Sequence, residues 1–245
     1  VGMVRTFLIS DLHGHADAFF QMLDLISFSR EDRMIILGDV IDRGEDGVKL
    51  LRYIMEQENM ELLMGNHEDM MRKSLSEATR EFWLDTWIYN GGGTTISGLN
   101  QLSEEEFKEC VNFIENLPLY KIIEVEGITY LLIHAGVRLQ EGQSLTEVCA
   151  AVDEEDALWI RGDFFNSEVV PPYYVVFGHT PTKMISRYAQ TMPADQREQC
   201  EKFEIVQWNH RIGIDCGAAY GANLGCICLN DLKEFYVKYE RKPSE

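Results

Sequence analysis

Basic residues are scarce in this chain. Its 245 residues include 22 lysines and arginines against 41 aspartates and glutamates, which gives a formal net charge of -19. A surface that attracts nucleic acid or anionic lipid as a whole is not expected, because both are polyanions. We therefore predict neither a nucleic-acid partner nor a membrane partner. An anionic substrate would have to be bound by local positive charge, from metal ions or a few arginines.

Cysteines and long apolar runs are also in short supply. The six cysteines lack the density and the regular spacing of a disulfide scaffold. No window approaches about eighteen uninterrupted apolar residues, the length of a membrane span. The start of the chain has too short an apolar stretch for a signal peptide. A reduced protein located in the cytoplasm is therefore expected.

The first third of the chain repeats one arrangement three times. The apolar runs RTFLIS, RMIILG and MELLMG are each followed by a polar cluster, namely DLHGH, DVIDRG and NHED. Short apolar runs bounded by Gly or Asp are typical of buried strands. The stretches that follow, residues 16–28, 45–58 and 70–83, have the apolar spacing of helices. Repeated strand and helix pairs predict βαβ units with parallel strands.

The second half predicts a different arrangement. Two stretches have the pattern of β-hairpins, one turning at Glu126-Gly127 and one at Asn230-Asp231. A helix over residues 144–160 and a strand in YYVVFGHTP lie between them. The glycine-rich residues 90–98 lack the signature of a P-loop and predict a loop. Together the two halves predict an α/β fold with mixed sheets, in a single domain over residues 1–245 because no linker is evident.

Chemically useful side chains gather just past the strand-like runs. Five of the six histidines lie there: His13, His15, His67, His134 and His179. Asp11, Asp39 and Asn66 occupy the same kind of position. Each alone has an ordinary explanation as a turn residue or a helix cap. Because the carboxyl ends of strands in an α/β sheet meet at one edge, the whole set predicts a metal site there.

The ligand types indicate which metal would bind. Carboxylate, imidazole and amide oxygens suit Mn, Fe, Zn or Co, and the clusters contain no cysteine. Even six such ligands are too many for one four-coordinate zinc ion, but they suit two adjacent ions, about 3.5–4 Å apart, that share a carboxylate. Two divalent metal ions are therefore predicted, Mn first, with Fe, Zn, Co or Ni as alternatives.

Five motifs occur in the order DLHGH, GDVIDRG, GNHE, HAG and GHT. Together they resemble the signature of the metallophosphoesterase superfamily. DRG with NHE resembles its phosphoprotein phosphatase (PPP) branch, the metal-dependent serine/threonine protein phosphatases. NGGGT, HAG and DCGAAYGANL resemble the bacterial and bacteriophage lambda type within that branch. The resemblance covers residues 5–230 and implies a four-layer αββα sandwich of two mixed sheets flanked by helices.

The resemblance also implies a role for individual residues. One metal would be held by Asp11, His13 and Asp39, and the other by Asp39, Asn66, His134 and His179. His67 would be the general acid, which Asp42 orients and keeps charged. Arg43 and Arg161 would bind the phosphate oxygens. The implied activity is that of a serine/threonine protein phosphatase, which hydrolyses a phosphorylated protein by direct attack of metal-bound hydroxide.

A few residues depart from the family pattern or lie outside it. Ser10 stands where the family usually has Gly. His15 is an extra histidine, expected at a helix start or a pocket edge, and His210 is expected to be structural. Asp215 and Tyr220 match a segment that lies near the metals in relatives, but a structural role explains them as well.

The motifs also bear on three other mechanisms or functions. The cysteine-based phosphatase mechanism is excluded, because no cysteine here has an arginine six positions later. Symmetrical diadenosine tetraphosphate hydrolases share most motifs but typically resemble GDLVARG and GNHD, with Ala at the position of Asp42. Since this chain keeps Asp42 and Glu68, protein phosphatase is favoured. A non-catalytic scaffold of the same fold would have lost ligands or the acid. Substrate choice is expected to lie in residues 75–118 and 138–172.

Overall fold

The computed structural model describes residues 3–238, and residues 1, 2 and 239–245 of the predicted domain lie outside this range. The strands are β1 (Thr6–Ile9), β2 (Arg33–Ile36), β3 (Met60–Leu62), β4 (Tyr120–Val125), β5 (Ile128–Ile133), β6 (Tyr174–Phe177), β7 (Val206–Trp208), β8 (Arg211–Gly213), β9 (Asn223–Cys228) and β10 (Glu234–Lys238). The α-helices are α1 (Ala16–Leu25), α2 (Gly47–Met55), α3 (Asn66–Leu75), α4 (Arg80–Trp87), α5 (Gly93–Leu99), α6 (Glu104–Glu115), α7 (Leu145–Ala150), α8 (Glu154–Trp159), α9 (Gly162–Phe165), α10 (Thr182–Ile185) and α11 (Ala194–Glu201). A π-helical turn (Ile88–Gly92) joins α4 to α5, and a 3₁₀ turn (Ala218–Tyr220) precedes β9.

The strands form two sheets that are both mixed. In the first sheet the order is β10-β9-β1-β2-β3, with β1, β2 and β3 parallel and β9 and β10 antiparallel to their neighbours. In the second the order is β4-β5-β6-β8-β7, with β5, β6 and β8 parallel and antiparallel strands at both edges. Two mixed sheets flanked by helices confirm the predicted fold class.

Successive side chains of a strand point to opposite faces of its sheet, so the buried apolar side chains of the described residues form three clusters. In β1, Phe7 and Ile9 pack with residues of α1 and α2, whereas Leu8 points to the opposite face. There Leu8 belongs to a buried cluster with Leu132 and Val176 of the second sheet. A third cluster covers the outer face of the second sheet. Since a fully buried Leu, Ile or Val stabilises by roughly 1.5–3 kcal/mol, the central cluster holds the two sheets together.

Several element bounds differ from those that the sequence predicts. The helix predicted over residues 70–83 is two helices, α3 and α4, and the one predicted over 144–160 is divided into α7 and α8. The loop predicted over residues 90–98 is wrong. Gly91, with φ of 103°, forms a kink, and helical backbone continues on both sides of it. A residue without Cβ adopts this φ without strain, so glycine here bends the helical segment rather than ending it.

Both predicted hairpins are present. Glu126 and Gly127, with φ of 51° and 75°, connect β4 to β5, as a tight turn with two left-handed residues requires. The second hairpin joins β9 to β10, and its predicted last residues, 239 and 240, lie outside the described range. Across residues 3–238, none of the helices combines the length and the apolar character that a membrane span needs.

Candidate metal centre

The predicted ligands come together where the parallel strands of the two sheets end. Asp11 follows β1, Asp39 follows β2 and Asn66 begins α3 after β3, while His134 follows β5 and His179 follows β6. All of these side chains are buried, as is that of His13. The centre is therefore assembled from both sheets, at the edge where parallel strands present their carboxyl ends.

The backbone at these strand ends is strained. Asp11, His13, Asp39 and His179 have φ values of 56°, 40°, 59° and 65°. Residues other than glycine seldom adopt positive φ, at a cost of about 1–3 kcal/mol each. The strain turns the chain sharply at each strand end, so that the side chain points inward. Such a concentration of strained residues is characteristic of functional sites.

Two glycines make room for the ligands. A Cβ atom at Gly38 would lie 2.6 Å from Nδ1 of His134, and one at Gly65 would clash with Oδ1 of Asp39. Gly38 also has φ of 96°, which disfavours any other residue. The glycines of GDV and GNH therefore allow the backbone to approach the ligands closely.

Asp39 lies at the middle of the centre. Its Oδ2 is 3.5 Å from Nε2 of His13 and 3.3 Å from Nε2 of His134. Two groups of side chains could each hold a metal ion, and Asp39 belongs to both. They are His13, Asp39 and His67, and Asp39, His134 and His179. A carboxylate common to two groups has the geometry of a bridging ligand.

Asn66 and Asp11 complete the two groups. Oδ1 of Asn66 is 2.9 Å from Nε2 of His134 and 3.1 Å from Nδ1 of His179, so three donor atoms converge on one point. Oδ1 of Asp11 is 3.7 Å from Nε2 of His13. Oδ2 of Asp11 accepts hydrogen bonds from Ser10 Oγ at 2.5 Å and from the His179 backbone N–H at 3.0 Å. The hydroxyl of Ser10 thus helps to leave the other oxygen of Asp11 facing His13.

The histidine contacts are those expected of metal ligands. Nδ1 of His13 lies 3.1 Å from the carbonyl oxygen of Ile41, and Nδ1 of His134 lies 2.6 Å from that of Leu37. Because a carbonyl only accepts, each Nδ1 carries the hydrogen, and each Nε2 can bind a metal. A pair of Nε2 lone pairs facing the Asp39 carboxylate needs a cation or a proton between them. The residues therefore fit divalent cations.

The charges within the centre agree with this geometry. Burial alone would raise the pKa of Asp39, but His134, His67 and His13 hold it well below its usual range. Burial would likewise lower the pKa of His134, but Asp39 raises it to about 10. Burial, together with the neighbouring His134 and Arg161, lowers the pKa of His179. The raised pKa of His134 means that positive charge is favoured beside Asp39.

His67 is paired with Asp42 at the side of the centre. Nδ1 of His67 is 2.6 Å from Oδ2 of Asp42, and both side chains are buried. Asp42 also accepts hydrogen bonds from Trp87 Nε1 at 2.9 Å and from Thr95 Oγ1 at 2.6 Å. Burial opposes protonation of His67, but the charge of Asp39 and the hydrogen bond that His67 donates to Asp42 raise its pKa. His67 is therefore better suited than an unpaired buried histidine to carry the proton of a general acid.

Arg43 and Arg161 approach the centre from different elements. Arg43 is exposed, its guanidinium lies 5.3 Å from the centroid of the Tyr220 ring, and its charge acts on His67. Arg161 is half-buried and donates through Nε to Thr180 Oγ1 at 3.2 Å. Thr180 directly follows His179. Both guanidinium groups are thus within electrostatic reach of the centre, where an anion would be bound.

The remaining residues that the sequence singles out lie at the border of the centre or outside it. His15 directly precedes α1 and lines a cleft with Arg43, which agrees with a helix-start or pocket-edge residue. His210 is outside, with Nδ1 2.7 Å from the carbonyl oxygen of Pro171 and its ring stacked on Tyr174. Asp215 is buried, and its Oδ1 accepts from the Gly217 N–H at 3.0 Å. Burial and the charge of Asp11 raise its pKa.

Sequence reasoning missed two contributors, Trp87 and Thr95. Both are buried and hydrogen-bond Asp42, yet they lie in a segment that lacks metal-ligand motifs. Thr95 directly follows the NGGGT motif, whose glycines indicate a loop, so the sequence carries no signal for its role. The sequence also gives no role for Glu68 beyond its place in GNHE.

The sequence of this chain matches the model of the calcineurin-like phosphoesterase family over residues 4–208. The chain belongs to this family. The family and the two groups of ligands imply that the centre holds divalent metal ions. Its relatives differ, however, in the substrates for which they are named.

Curated relatives include two kinds of enzyme. The chain is 26% identical to a symmetrical bis(5'-nucleosyl)-tetraphosphatase of Buchnera aphidicola over 160 residues, which are 63% of this chain and 52% of the relative. It is 32% identical to the one of Wigglesworthia glossinidia brevipalpis over 136 residues, which are 54% of this chain and 44% of the relative. It therefore spans about half the length of these tetraphosphatases. Serine/threonine-protein phosphatase 2 of Escherichia coli K12 is 25% identical over 197 residues, which are 77% of this chain and 85% of the relative.

Solved structures agree on the fold. A putative diadenosine tetraphosphatase superposes with a TM-score of 0.65 at 17% identity, covering 98% of this chain and 95% of the other. A serine/threonine phosphatase of Saccharomyces cerevisiae superposes with a TM-score of 0.58 at 15% identity, covering 98% and 81%. At such identities the likeness establishes the fold alone.

Proposed function

We propose that this chain is a phosphoesterase that works with two divalent metal ions, with His67 as the general acid. The observation that carries the proposal is that Asp39 belongs to two adjacent groups of potential ligands, and that His67, a member of the first group, is paired with Asp42. Such an arrangement suits the hydrolysis of a phosphate ester, in which an attacking and a leaving oxygen both need stabilisation.

We assign the ligands to the two ions as the family resemblance implies. Asp11, His13 and Asp39 would hold one ion, and Asp39, Asn66, His134 and His179 the other. Mn²⁺ is the proposed metal, because carboxylate, imidazole and amide oxygens suit it. When bound, the two ions would supply Lewis-acid activation of water and neutralise charge on the phosphate.

The protein itself would position the substrate and move a proton. Arg43 and Arg161 would bind phosphate oxygens, since a guanidinium fork matches their geometry. His67, protonated and held by Asp42, would donate its Nε2 proton to the leaving oxygen. A general acid in this position accelerates hydrolysis by roughly 10²–10⁴-fold.

The names of the relatives favour a dinucleoside tetraphosphate as the substrate. The sequence motifs favour a phosphoprotein instead. The Buchnera and Wigglesworthia enzymes are both named for the tetraphosphate. We propose symmetrical hydrolysis of such a dinucleotide as the first activity to test. It corresponds to the alternative that the sequence motifs had placed second.

A serine/threonine protein phosphatase is the second candidate, and a specific observation supports it. The tetraphosphatase pattern has Ala at the position of Asp42, whereas Asp42 here is buried and accepts hydrogen bonds from three side chains. The match to phosphatase 2 also covers more of the relative, at 85%. A phosphorylated protein partner and a cytoplasmic location remain predictions.

A panel of substrates separates the candidates. Diadenosine tetraphosphate, a phosphoserine peptide and p-nitrophenyl phosphate would be compared at one Mn²⁺ concentration, with the His67→Asn variant as a control for contaminating enzymes. A kcat/KM at least tenfold higher for the dinucleotide, with ADP as product, would support the first candidate. The reverse preference would support the second. Absence of hydrolysis of all three by protein that contains two metal ions would reject the proposal.

A further inference from the structure

Glu68 lies in the first turn of α3 with its carboxylate completely buried. Oε2 accepts hydrogen bonds from the backbone N–H groups of Asp39 at 2.9 Å and Gly65 at 3.2 Å, and Oε1 accepts from that of Val40 at 2.7 Å. Burial of a carboxylate is costly unless its oxygens are hydrogen-bonded. These three donors, two of them in the loop after β2, meet that requirement.

Hydrogen bonds join the loop after β2 to the start of α3, and each segment both donates and accepts. Oδ1 of Asp39 accepts a hydrogen bond from the His67 N–H at 3.0 Å, while Glu68 accepts from the Asp39 N–H. Asp39 has φ of 59°, a strained conformation that persists only where surrounding contacts impose it. Glu68 supplies such contacts at Asp39 and at the next residue. The other carboxylate oxygen of Asp39 remains directed at His13 and His134.

We propose that Glu68 is a positioning residue for the metal centre, which fixes the backbone of Asp39 so that Oδ2 serves both groups of ligands. The proposal rests on the proposed function only in requiring that the centre binds metal. The ordinary explanation of Glu68 is a capping residue that stabilises α3 and nothing else. Metal affinity distinguishes the two roles, because only a positioning residue changes it.

The chain offers a matched control in α7. Glu147 occupies the third position of that helix, as Glu68 does in α3, and accepts a hydrogen bond from the Ser144 N–H at 2.8 Å. Its hydrogen-bond partner is a residue of its own helix start. Glu147→Gln therefore removes a capping carboxylate without touching the loop after β2.

Two substitutions of Glu68 test the contact. Glu68→Gln keeps the shape of the side chain but turns an amide NH₂ group toward backbone donors. Glu68→Asp shortens the side chain by about 1.5 Å, one C–C bond length, so that one carboxylate no longer reaches both strand-end loops. Far-UV circular dichroism checks that each variant is folded.

The experiment is a calorimetric Mn²⁺ titration of metal-stripped wild type, Glu68→Gln, Glu68→Asp and Glu147→Gln. Loss of a contact that orients a metal ligand typically weakens metal affinity about 10–100-fold, and we expect this for both Glu68 variants and not for Glu147→Gln. For a variant too unstable to titrate, the Mn²⁺ concentration that raises its Tm gives the same information, because binding to the folded state stabilises it.

Wild-type Mn²⁺ affinity in both Glu68 variants, with a lowered Tm alone, would overturn the proposal and leave Glu68 a capping residue. Wild-type protein that binds two Mn²⁺ ions but hydrolyses nothing would reject the proposed function, while the titration would still decide the role of Glu68. Wild-type protein that binds no Mn²⁺ would reject both.

Discussion

Nδ1 of His67 lies 2.6 Å from Oδ2 of Asp42, a contact that joins the first turn of α3 to the loop after β2. The carboxylate fixes the orientation of the imidazole, because Nδ1 must carry the hydrogen and Nε2 then faces away from Asp42. The raised pKa of His67 means that Nε2 is protonated more readily than in a free histidine. The pair is therefore suited to deliver a proton.

Substitution of His67 should separate proton donation from metal binding. We expect His67→Asn to lower kcat by roughly 10²–10⁴-fold with little change in metal content. His210→Asn is the matched control, because His210 lies outside the centre and should leave kcat near the wild-type value. Kinetics on the best substrate and elemental analysis of the same samples check this. Wild-type kcat in His67→Asn would reject the assignment.

Asp39→Asn should affect both metal sites. The substitution removes the negative charge shared by the two groups of ligands, so we expect the protein to retain fewer than two ions after dialysis against metal-free buffer. Elemental analysis measures the stoichiometry. Two tightly retained ions in the variant would contradict a bridging role for Asp39.

Thr95 should matter through Asp42. Thr95 Oγ1 donates to the Asp42 carboxylate and accepts from the Asp42 N–H at 3.0 Å. Thr95→Val leaves that buried N–H without a partner, which costs about 1–3 kcal/mol in the free energy of unfolding. We also expect a lower kcat, because Asp42 is held less firmly. Thr94→Val is the control, since the hydroxyl of Thr94 contacts the carbonyl of Gly91 instead. Urea unfolding and steady-state kinetics should show the two variants to differ.

Asp32 gives a pH-dependent prediction outside the centre. Burial alone would raise the pKa of Asp32, but hydrogen bonds from Arg5 and Ser29 lower it. A lowered folded-state pKa means that this contribution to stability is complete above the unfolded value, about 3.9, and is lost as the pH falls through the folded value. We expect Asp32→Asn to lower the free energy of unfolding by about 1.5–3 kcal/mol at pH 7. The difference from wild type should shrink below about pH 4. Urea unfolding of both proteins across this range checks it; a difference that stays constant as the pH falls would contradict it.

The sequence predicts the fold and the ligand set well because both depend on local patterns. Apolar runs indicate β1, β2 and β3, and the polar residues just past them must meet once the strands are parallel. Asp11 and His179 are separated by 168 residues but are joined by a hydrogen bond. The spacing of residues in the sequence does not predict that contact. Only the complete set of motifs indicates that the two residues belong to one site.

Other features could not be predicted because tertiary contacts decide them. The segment from Trp87 to Thr95 has the composition of a loop, but it folds as helix where Trp87 and Thr95 hydrogen-bond a buried carboxylate. Short strands such as β7 and β8 have only three residues each and no distinctive alternation. Their structure follows from pairing with each other and with β6.

The position of the centre across two sheets has a consequence for how the protein unfolds. Asp39 and Asn66 follow strands of the first sheet, whereas His134 and His179 follow strands of the second. An ion bound by all four would cross-link the two sheets, which share an apolar cluster between them. Metal would then raise the midpoint of unfolding and its cooperativity, and its removal would weaken the coupling between the sheets.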